Sequence, residues 1–124
     1  METKELSKGR KITGWVLAGL IVALMVMSAF AKISGSEELV TNFTKWGLID
    51  WLTIVGIGEL TAAILYLIPR TSSLGVLLLS AHWGGAIVTH MSNGESFVFQ
   101  SIVLILVWVT AWVRNPATLS SFYK

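Results

Sequence analysis

Three ionisable side chains lie where the sequence is otherwise strongly apolar, and their chemistry is that of proton transfer or ligand binding. Glu59 lies in the run 54–70, IVGIGELTAAILYLIPR, whose only other charge is Arg70 at its end. His82 lies in the middle of the next apolar run, and Lys32 follows the first one. A carboxylate, an imidazole and an ammonium group can form ion pairs, relay protons or orient the polar head of an apolar ligand.

The composition indicates that these groups lie in a membrane. Of the 124 residues, 54% are hydrophobic and only 13% are charged, and the mean hydropathy is +0.73. A soluble domain usually has about 25% charged residues. The net charge of +2, with no basic patch suited to a nucleic acid, argues against a nucleic-acid partner. The absence of cysteine excludes disulfides, zinc–thiolate sites and cysteine-held iron–sulfur clusters within this chain.

Four apolar runs predict an all-α fold, a four-helix transmembrane bundle that forms a single domain over residues 1–124. The runs are Trp15–Ala31, Trp51–Ile68, Leu74–Met91 and Phe97–Val113, and the membrane spans are predicted at about residues 13–32, 50–68, 73–91 and 97–113. Each run is near the short end of the roughly 17–25 residues that cross a bilayer core. The short connections 69–73 and 92–96 predict that spans two, three and four are antiparallel neighbours.

The longer connection between the first two spans predicts a short amphipathic helix within residues 34–47. Ser34 and Glu37 have the spacing of a capping box, and Gly47 is suited to end the helix. Three apolar residues recur on one face, namely Leu39, Phe43 and Trp46. We expect this helix to lie on the membrane surface or to cap the bundle.

Basic residues predict that both termini lie in the cytoplasm. Seven of them fall on the side of the termini: Lys4, Lys8, Arg10, Lys11, Arg70, Arg114 and Lys124. Only Lys32 and Lys45 fall on the opposite side.

A cleavable signal peptide is the alternative interpretation of the first run, because a basic start and the small-x-small sequence at 29–31 are typical of one. The apolar run is longer than the usual 7–15 residues of a signal core, which favours a retained span. The mass of the mature protein distinguishes the two.

Helical spacing predicts that Glu59 points into the bundle. The face centred on it contains three small residues, one leucine and one aromatic: Gly56, Ala62, Ala63, Leu52 and Tyr66. The opposite face contains large aliphatic residues suited to lipid: Ile54, Ile57, Ile64 and Ile68. An unpaired charge near the bilayer midplane is costly, so Glu59 must be protonated or paired.

The candidate site residues are Glu59, Lys32, His82, His90, Gln100 and Tyr66. His82 lies at the depth of Glu59 on a stripe of the third span, which predicts contact between the two. The stripe consists of Gly75, His82, Ala86, Thr89 and Asn93. Lys32 ends a face of the first span that contains Gly14, Ala18, Ile21, Met25 and Ser28. We expect Lys32 to reach inward to Glu59, with outward snorkelling as the alternative. His90 and Gln100 belong, like Lys32, to the outer half of the bundle. The position of His90 near a turn is also typical of an interfacial histidine.

The alternative for the whole set of candidate residues is a purely structural contact between helices. No metal site is expected, because His82 and His90 are eight residues apart.

Four segments, taken together and in order, resemble the DoxX-like family of small bacterial membrane proteins with four helices. They are SAFAKISG (28–35), GIGELTAAILYLIPRTSSLG (56–75), GGAIVTHMSNGE (84–95) and LVWVTAWVRNP (106–116). The resemblance implies that the family's lysine, glutamate and histidine fall on Lys32, Glu59 and His90. Position 82 is more often aromatic in the family than histidine.

The resemblance also implies a location in the bacterial inner membrane and a link to redox complexes, since the family is named after a membrane subunit of a thiosulfate:quinone oxidoreductase. The sequence has no flavin or nicotinamide fingerprint, so no cofactor is evident and a bound quinone is the candidate. Three functions follow as hypotheses: an accessory protein that binds a small lipophilic molecule, a membrane subunit of a quinone-linked oxidoreductase, and a structural scaffold. The expected partners are the lipid bilayer, a lipophilic ligand, an oxidoreductase subunit and a second copy of the chain.

Overall fold

The computed structural model describes residues 5–123, and Lys4 and Lys124 of the predicted positive side lie outside this range. It contains five α-helices: α1 (Lys8–Ser34), α2 (Glu37–Lys45), α3 (Leu52–Leu67), α4 (Ser72–Ser92) and α5 (Val98–Arg114). Short 3-10 segments follow at Ile49–Trp51, Pro69–Thr71 and Pro116–Tyr123. The predicted all-α bundle is therefore confirmed.

The four long helices form a closed ring in which α1 packs on α3, α3 on α4, α4 on α5, and α5 on α1. The ring brings one end of every helix to the side of the chain termini, which we call the terminal end. The opposite end holds α2 and the turn between α4 and α5, and we call it the α2 end.

Among the described residues, three helical segments are long and apolar enough to cross a membrane, namely Lys8–Ser34, Ile49–Leu67 and Pro69–Ser92. The fourth, α5, is apolar but has only 17 residues. At 1.5 Å per residue this helix is about 25 Å long, slightly less than a typical bilayer core.

The predicted faces of the first two spans are confirmed. The buried residues of α3 are those of the predicted face: Leu52, Gly56, Glu59, Ala62, Ala63 and Tyr66. The four isoleucines predicted to face lipid are all exposed. Along α1 the buried side runs from Gly14 to Lys32, so the inward direction predicted for Lys32 is also confirmed.

The predicted stripe on α4 is only partly buried. The core-facing residues are Gly75, Val76, Leu79 and Trp83, whereas His82, Ala86 and Thr89 are half-buried and Asn93 is exposed. The large side chains Leu79 and Trp83 occupy the bundle core, and the Trp83 indole N–H lies 3.1 Å from the Met25 sulfur. Their packing rotates α4, so the smaller polar stripe lies beside the core.

The start of α2 differs from the predicted capping box. The helix α1 continues to Ser34 and ends at Gly35, whose φ of 70° supplies the left-handed turn. Ser34, the predicted capping residue, is still part of α1. The residue that precedes α2 is Ser36, and its side chain makes no capping hydrogen bond. The predicted end at Gly47 is confirmed: its φ is 74°, and the Leu48 N–H donates to the Phe43 carbonyl at 2.8 Å.

Arginine side chains connect the helices at the terminal end. The Arg114 guanidinium donates to the carbonyl oxygens of Tyr66 and Leu67 at 2.7 Å each. Arg10 donates to the Val113 carbonyl at 2.9 Å. These bonds satisfy carbonyls at the ends of α3 and α5 that have no intrahelical donor.

Candidate functional site

Glu59 forms a buried ion pair with Lys32. The Lys32 ammonium nitrogen lies 2.9 Å from Glu59 Oε1. Glu59 is 0% exposed and Lys32 is 8% exposed, so water screens this pair only weakly. The sequence predicted that the Glu59 carboxyl group is either protonated or paired, and this geometry is that of an ion pair.

Ser28 completes the contacts of Oε1. Its hydroxyl donates to Glu59 Oε1 at 3.0 Å, and Lys32 Nζ donates to the same hydroxyl at 2.6 Å. Ser28 and Lys32 are one helical turn apart on α1, which explains why both reach the same carboxylate. The three side chains therefore form one polar cluster between α1 and α3, and His82 of α4 is its fourth member.

His82 approaches the other carboxylate oxygen. Its Nε2 atom lies 3.1 Å from Glu59 Oε2, as the equal depth of the two residues predicted. Within residues 5–123 no well-aligned hydrogen-bond donor reaches Oε2, so the His82 ring lies close to this oxygen without saturating it. The carboxylate thus has one fully bonded oxygen and one oxygen free to accept a further hydrogen bond.

Gly56 allows α1 and α3 to approach closely beside this cluster. A Cβ atom at position 56 would lie 2.9 Å from Lys32 Cβ and 3.1 Å from the Ala29 carbonyl oxygen. Both distances are shorter than ordinary van der Waals contact. A glycine one turn before Glu59 therefore brings the lysine stem against α3 and directs its ammonium group to the carboxylate.

A cavity of about 550 Å³ lies on the α2 side of the cluster, and we call it the α2 cavity. Its polar lining residues include Ser28, Lys32, Asn42, His82, Thr89, His90 and Gln100, and its aromatic ones are Phe43, Trp46, Trp83 and Phe99. The volume falls within the roughly 300–1,000 Å³ that is typical of small-molecule sites. An apolar chamber with a few convergent polar groups is the usual form of such a site.

The amphipathic helix α2 covers this cavity. Its predicted apolar face supplies three lining residues, Leu39, Phe43 and Trp46, and Phe43 is buried. The sequence predicted that this helix either lies on the membrane surface or caps the bundle, and these contacts are those of a helix that caps the bundle.

Glu95, in the turn between α4 and α5, holds the end of α2. Its carboxylate accepts hydrogen bonds from Lys45 Nζ at 2.7 Å and from the Trp46 indole N–H at 3.1 Å. His90 Nδ1 lies 3.1 Å from the same group, and the His90 and Trp46 rings are 5.0 Å apart. The hydrogen bond from Lys45 is the main factor that lowers the pKa of Glu95.

Neutralising Glu95 is expected to loosen α2. A carboxylate with a lowered folded-state pKa stabilises the protein above its unfolded pKa, and this stabilisation is lost as the pH falls through the folded value. Glu95→Gln should therefore increase amide hydrogen exchange in α2 at neutral pH. It should also remove the additional loss of protection of α2 that protonation of Glu95 causes in the parent chain at acidic pH. Glu5→Gln, which removes an exposed carboxylate at the terminal end, away from α2, is the control. Equal exchange in the two variants would contradict the role of Glu95.

The structure separates the six predicted site residues into three groups. Glu59, Lys32 and His82 form the buried cluster. His90 and Gln100 line the α2 cavity, with 3.2 Å between His90 Nε2 and Gln100 Nε2. Tyr66 lies toward the terminal end, where its hydroxyl donates to the Val107 carbonyl at 2.9 Å. The suggested roles of all six in ligand binding stay predictions.

Sequence reasoning did not include Ser28, Glu95 or the cavity aromatics among the candidates. Ser28 could have been found from its four-residue spacing to Lys32 on a face that was already identified. Glu95 had no such signal, because its contacts join a turn to a helix about 50 residues earlier. Trp83 and Phe99 resemble ordinary apolar residues in a sequence of this composition.

The cluster combines one buried carboxylate, one ammonium group and one imidazole. A neutral His82 leaves the Glu59–Lys32 pair without net charge, and a protonated one gives the cluster a single positive charge. His82 belongs both to the cluster and to the cavity lining. The arrangement can therefore hold a hydrogen-bonding head group or move a proton between it and Glu59.

Comparison with known proteins identifies one family. A model described as the DoxX-like family matches residues 16–113, which contain nearly all of the four-helix bundle and the whole of α2. No curated protein and no solved structure matches the chain.

Proposed function

This chain belongs to the DoxX-like family, and from that membership we propose that it is a membrane binding protein that holds a small lipophilic molecule with a polar head group. Its apolar helices and its family make it a multi-pass membrane protein. The observation that carries the proposal is the α2 cavity, with aromatic walls and a charged cluster at one side.

A quinone is the ligand class that fits best. Its carbonyl oxygens would accept hydrogen bonds from the Lys32 ammonium group or the His82 ring, which both line the cavity. Its ring would lie among the side chains of Phe43, Trp46 and Trp83, where flat aromatic surfaces pack well. The buried Gln100 Oε1 has no hydrogen-bond donor among the described residues, and the hydroxyl of a reduced quinone would supply one.

The basic residues at the terminal end support an orientation with both termini in the cytoplasm. The α2 cavity would then lie in the outer half of a bacterial inner membrane. In that position the cavity would lie within reach of ligands that diffuse in the bilayer.

Filling the cavity tests the binding function. Ala86 lines the α2 cavity and Val88 is exposed on the same helix. Ala86→Phe should weaken binding of a short-chain benzoquinone by about tenfold or more, because overpacking of a filled site costs about 1–3 kcal/mol. Quenching of tryptophan fluorescence measures the affinity, because Trp46 and Trp83 line the cavity.

Val88→Phe is the matched control and should leave the affinity within about twofold, since surface changes away from a site have small effects. Native mass spectrometry of the purified protein would identify any endogenous ligand. Unchanged quinone affinity in Ala86→Phe, or equal loss in both variants, would exclude the α2 cavity as the binding site.

A membrane subunit of a quinone-linked oxidoreductase is the second candidate. The observation that favours it is the contact of His82 with both Glu59 and the cavity. This contact would allow a proton to pass between the buried carboxylate and a bound head group. Electrons would then come from a partner subunit, because no cofactor is evident in this chain.

A further inference from the structure

A second cavity lies at the terminal end, on the opposite side of the bundle from the α2 cavity. It has a volume of about 330 Å³ and opens between the start of α1, the end of α5 and the turn before α4. Its polar lining consists of Lys11, Ser72, Arg114 and Asn115, and Trp15 forms an aromatic wall. Two cations and two uncharged polar groups thus surround one open chamber.

The electrostatic balance around this cavity is strongly positive. No carboxylate is among its described lining residues. Glu5 lies 3.6 Å from Lys11, but the two side chains are 89% and 50% exposed. An ion pair that is this exposed contributes little and exchanges readily with another anion. Other cations at the same end, including Arg10 and Arg70, reinforce the positive potential.

Arg114 is held in position before any ligand arrives. Two of its N–H groups bond to the carbonyl oxygens of Tyr66 and Leu67, and the guanidinium lies 5.0 Å from the Trp15 ring centre. Gly14 packs directly against its side chain, since a Cβ there would lie 2.8 Å from Arg114 Cγ. A guanidinium has five N–H donors, so three remain for an oxygen-rich anion.

The surroundings of the cavity are those of a membrane surface. Trp15 is 51% exposed, and the apolar residues Ile12 and Leu74 are 55% and 49% exposed beside the lining residues Lys11 and Ser72. Indole rings concentrate at the level of lipid head groups, and basic pockets at this level bind anionic lipid head groups. An anion bound between Lys11 and Arg114 would therefore have room for acyl chains along the adjacent helices.

We propose that the terminal cavity binds a phosphate group, supplied by an anionic phospholipid whose head group lies between Lys11 and Arg114. The ammonium and guanidinium groups bind the phosphate oxygens, and the side-chain amide of Asn115 supplies further donors. The acyl chains lie against the exposed apolar residues of α1 and α4. This site is independent of the ligand in the α2 cavity.

Native mass spectrometry of the full chain in detergent, with phosphatidylglycerol added, measures this binding. Lys11→Gln should weaken the affinity about fivefold, the effect expected of one basic residue near an anionic head group. Lys8→Gln removes the same charge from an exposed position outside the cavity lining and should change the affinity less than twofold. Arg114→Lys keeps the charge but removes the planar donor fork, so it should also weaken binding.

Phosphatidylcholine and inorganic phosphate are the comparison ligands. Weaker binding of phosphatidylcholine, and competition by inorganic phosphate that Lys11→Gln reduces, would support the site. Binding of inorganic phosphate without binding of phosphatidylglycerol would overturn the lipid as the source and would assign the cavity to a soluble phosphate compound. Equal losses in Lys11→Gln and Lys8→Gln would overturn the site itself, because they would show attraction by the general positive surface.

Discussion

Replacing Glu59 by glutamine is expected to lower the free energy of unfolding by about 3–5 kcal/mol, the range for removing one partner of a buried ion pair. The substitution leaves the Lys32 ammonium group, 8% exposed, without a counterion. The Ser28 hydroxyl is too weak an acceptor to replace a carboxylate at this depth. Reversible unfolding in mixed detergent, monitored by the loss of the helical circular dichroism signal, measures the difference in free energy.

The double variant Lys32→Met with Glu59→Gln separates the charge from the packing. Exchange of a buried pair for uncharged residues of similar size is often neutral, so the double variant should be more stable than Glu59→Gln alone. Glu38→Gln, at an exposed position, should stay within about 0.5 kcal/mol of the parent chain. A loss below about 1 kcal/mol for Glu59→Gln would be typical of a surface pair and would refute the buried pairing.

Replacing Gly75 by alanine is expected to lower the free energy of unfolding by about 3 kcal/mol, at the upper end of the range for overpacking. A Cβ atom at position 75 would overlap the backbone N and Cα atoms of Tyr66 on α3. Backbone atoms within a helix cannot turn aside as a flexible side chain can, so α3 and α4 must separate. The same unfolding measurement in mixed detergent detects the change.

Gly84→Ala is the matched control on the same helix. No atom lies within 4 Å of a Cβ built at position 84. Alanine there removes backbone freedom from the unfolded chain, and it should leave the stability unchanged or raise it by up to about 1 kcal/mol. Similar stability of the two alanine variants would contradict the close approach of α3 and α4 at Gly75.

The small residues in the helix contacts and the buried Glu59–Lys32 pair have different effects on the stability of the bundle. The small residues at Gly56 and Gly75 allow close approach of helices, which is the usual source of stability where the solvent is itself apolar. The Glu59–Lys32 pair lies beside a cavity and leaves one carboxylate oxygen incompletely bonded. Helix contact alone would be achieved at lower cost by apolar residues. The pair is therefore better explained by the ligand site that we propose.

Local periodicity was sufficient to predict which side of α1 and α3 is buried. On α3, small residues flank Glu59 and isoleucines lie opposite, so lipid and protein select opposite faces without reference to the rest of the fold. On α1, the face that ends at Lys32 indicates the buried side. The inward direction of Lys32 followed because a buried carboxylate needs a partner. The stripe on α4 was less well predicted, since the bulk of Leu79 and Trp83 competes with the polar residues for the core.

By itself, the sequence determined the helical membrane class, the positions of the apolar helices, the inward direction of Glu59 and its contact with His82. These properties depend on composition and on spacing within one or two neighbouring helices. Only the tertiary structure decided that α2 covers a cavity, that Glu95 holds it there, and that Lys11 and Arg114 line a second cavity. These features join residues that are between about 50 and 100 positions apart, and the shape of a cavity depends on the relative rotation of several helices, which no local pattern encodes.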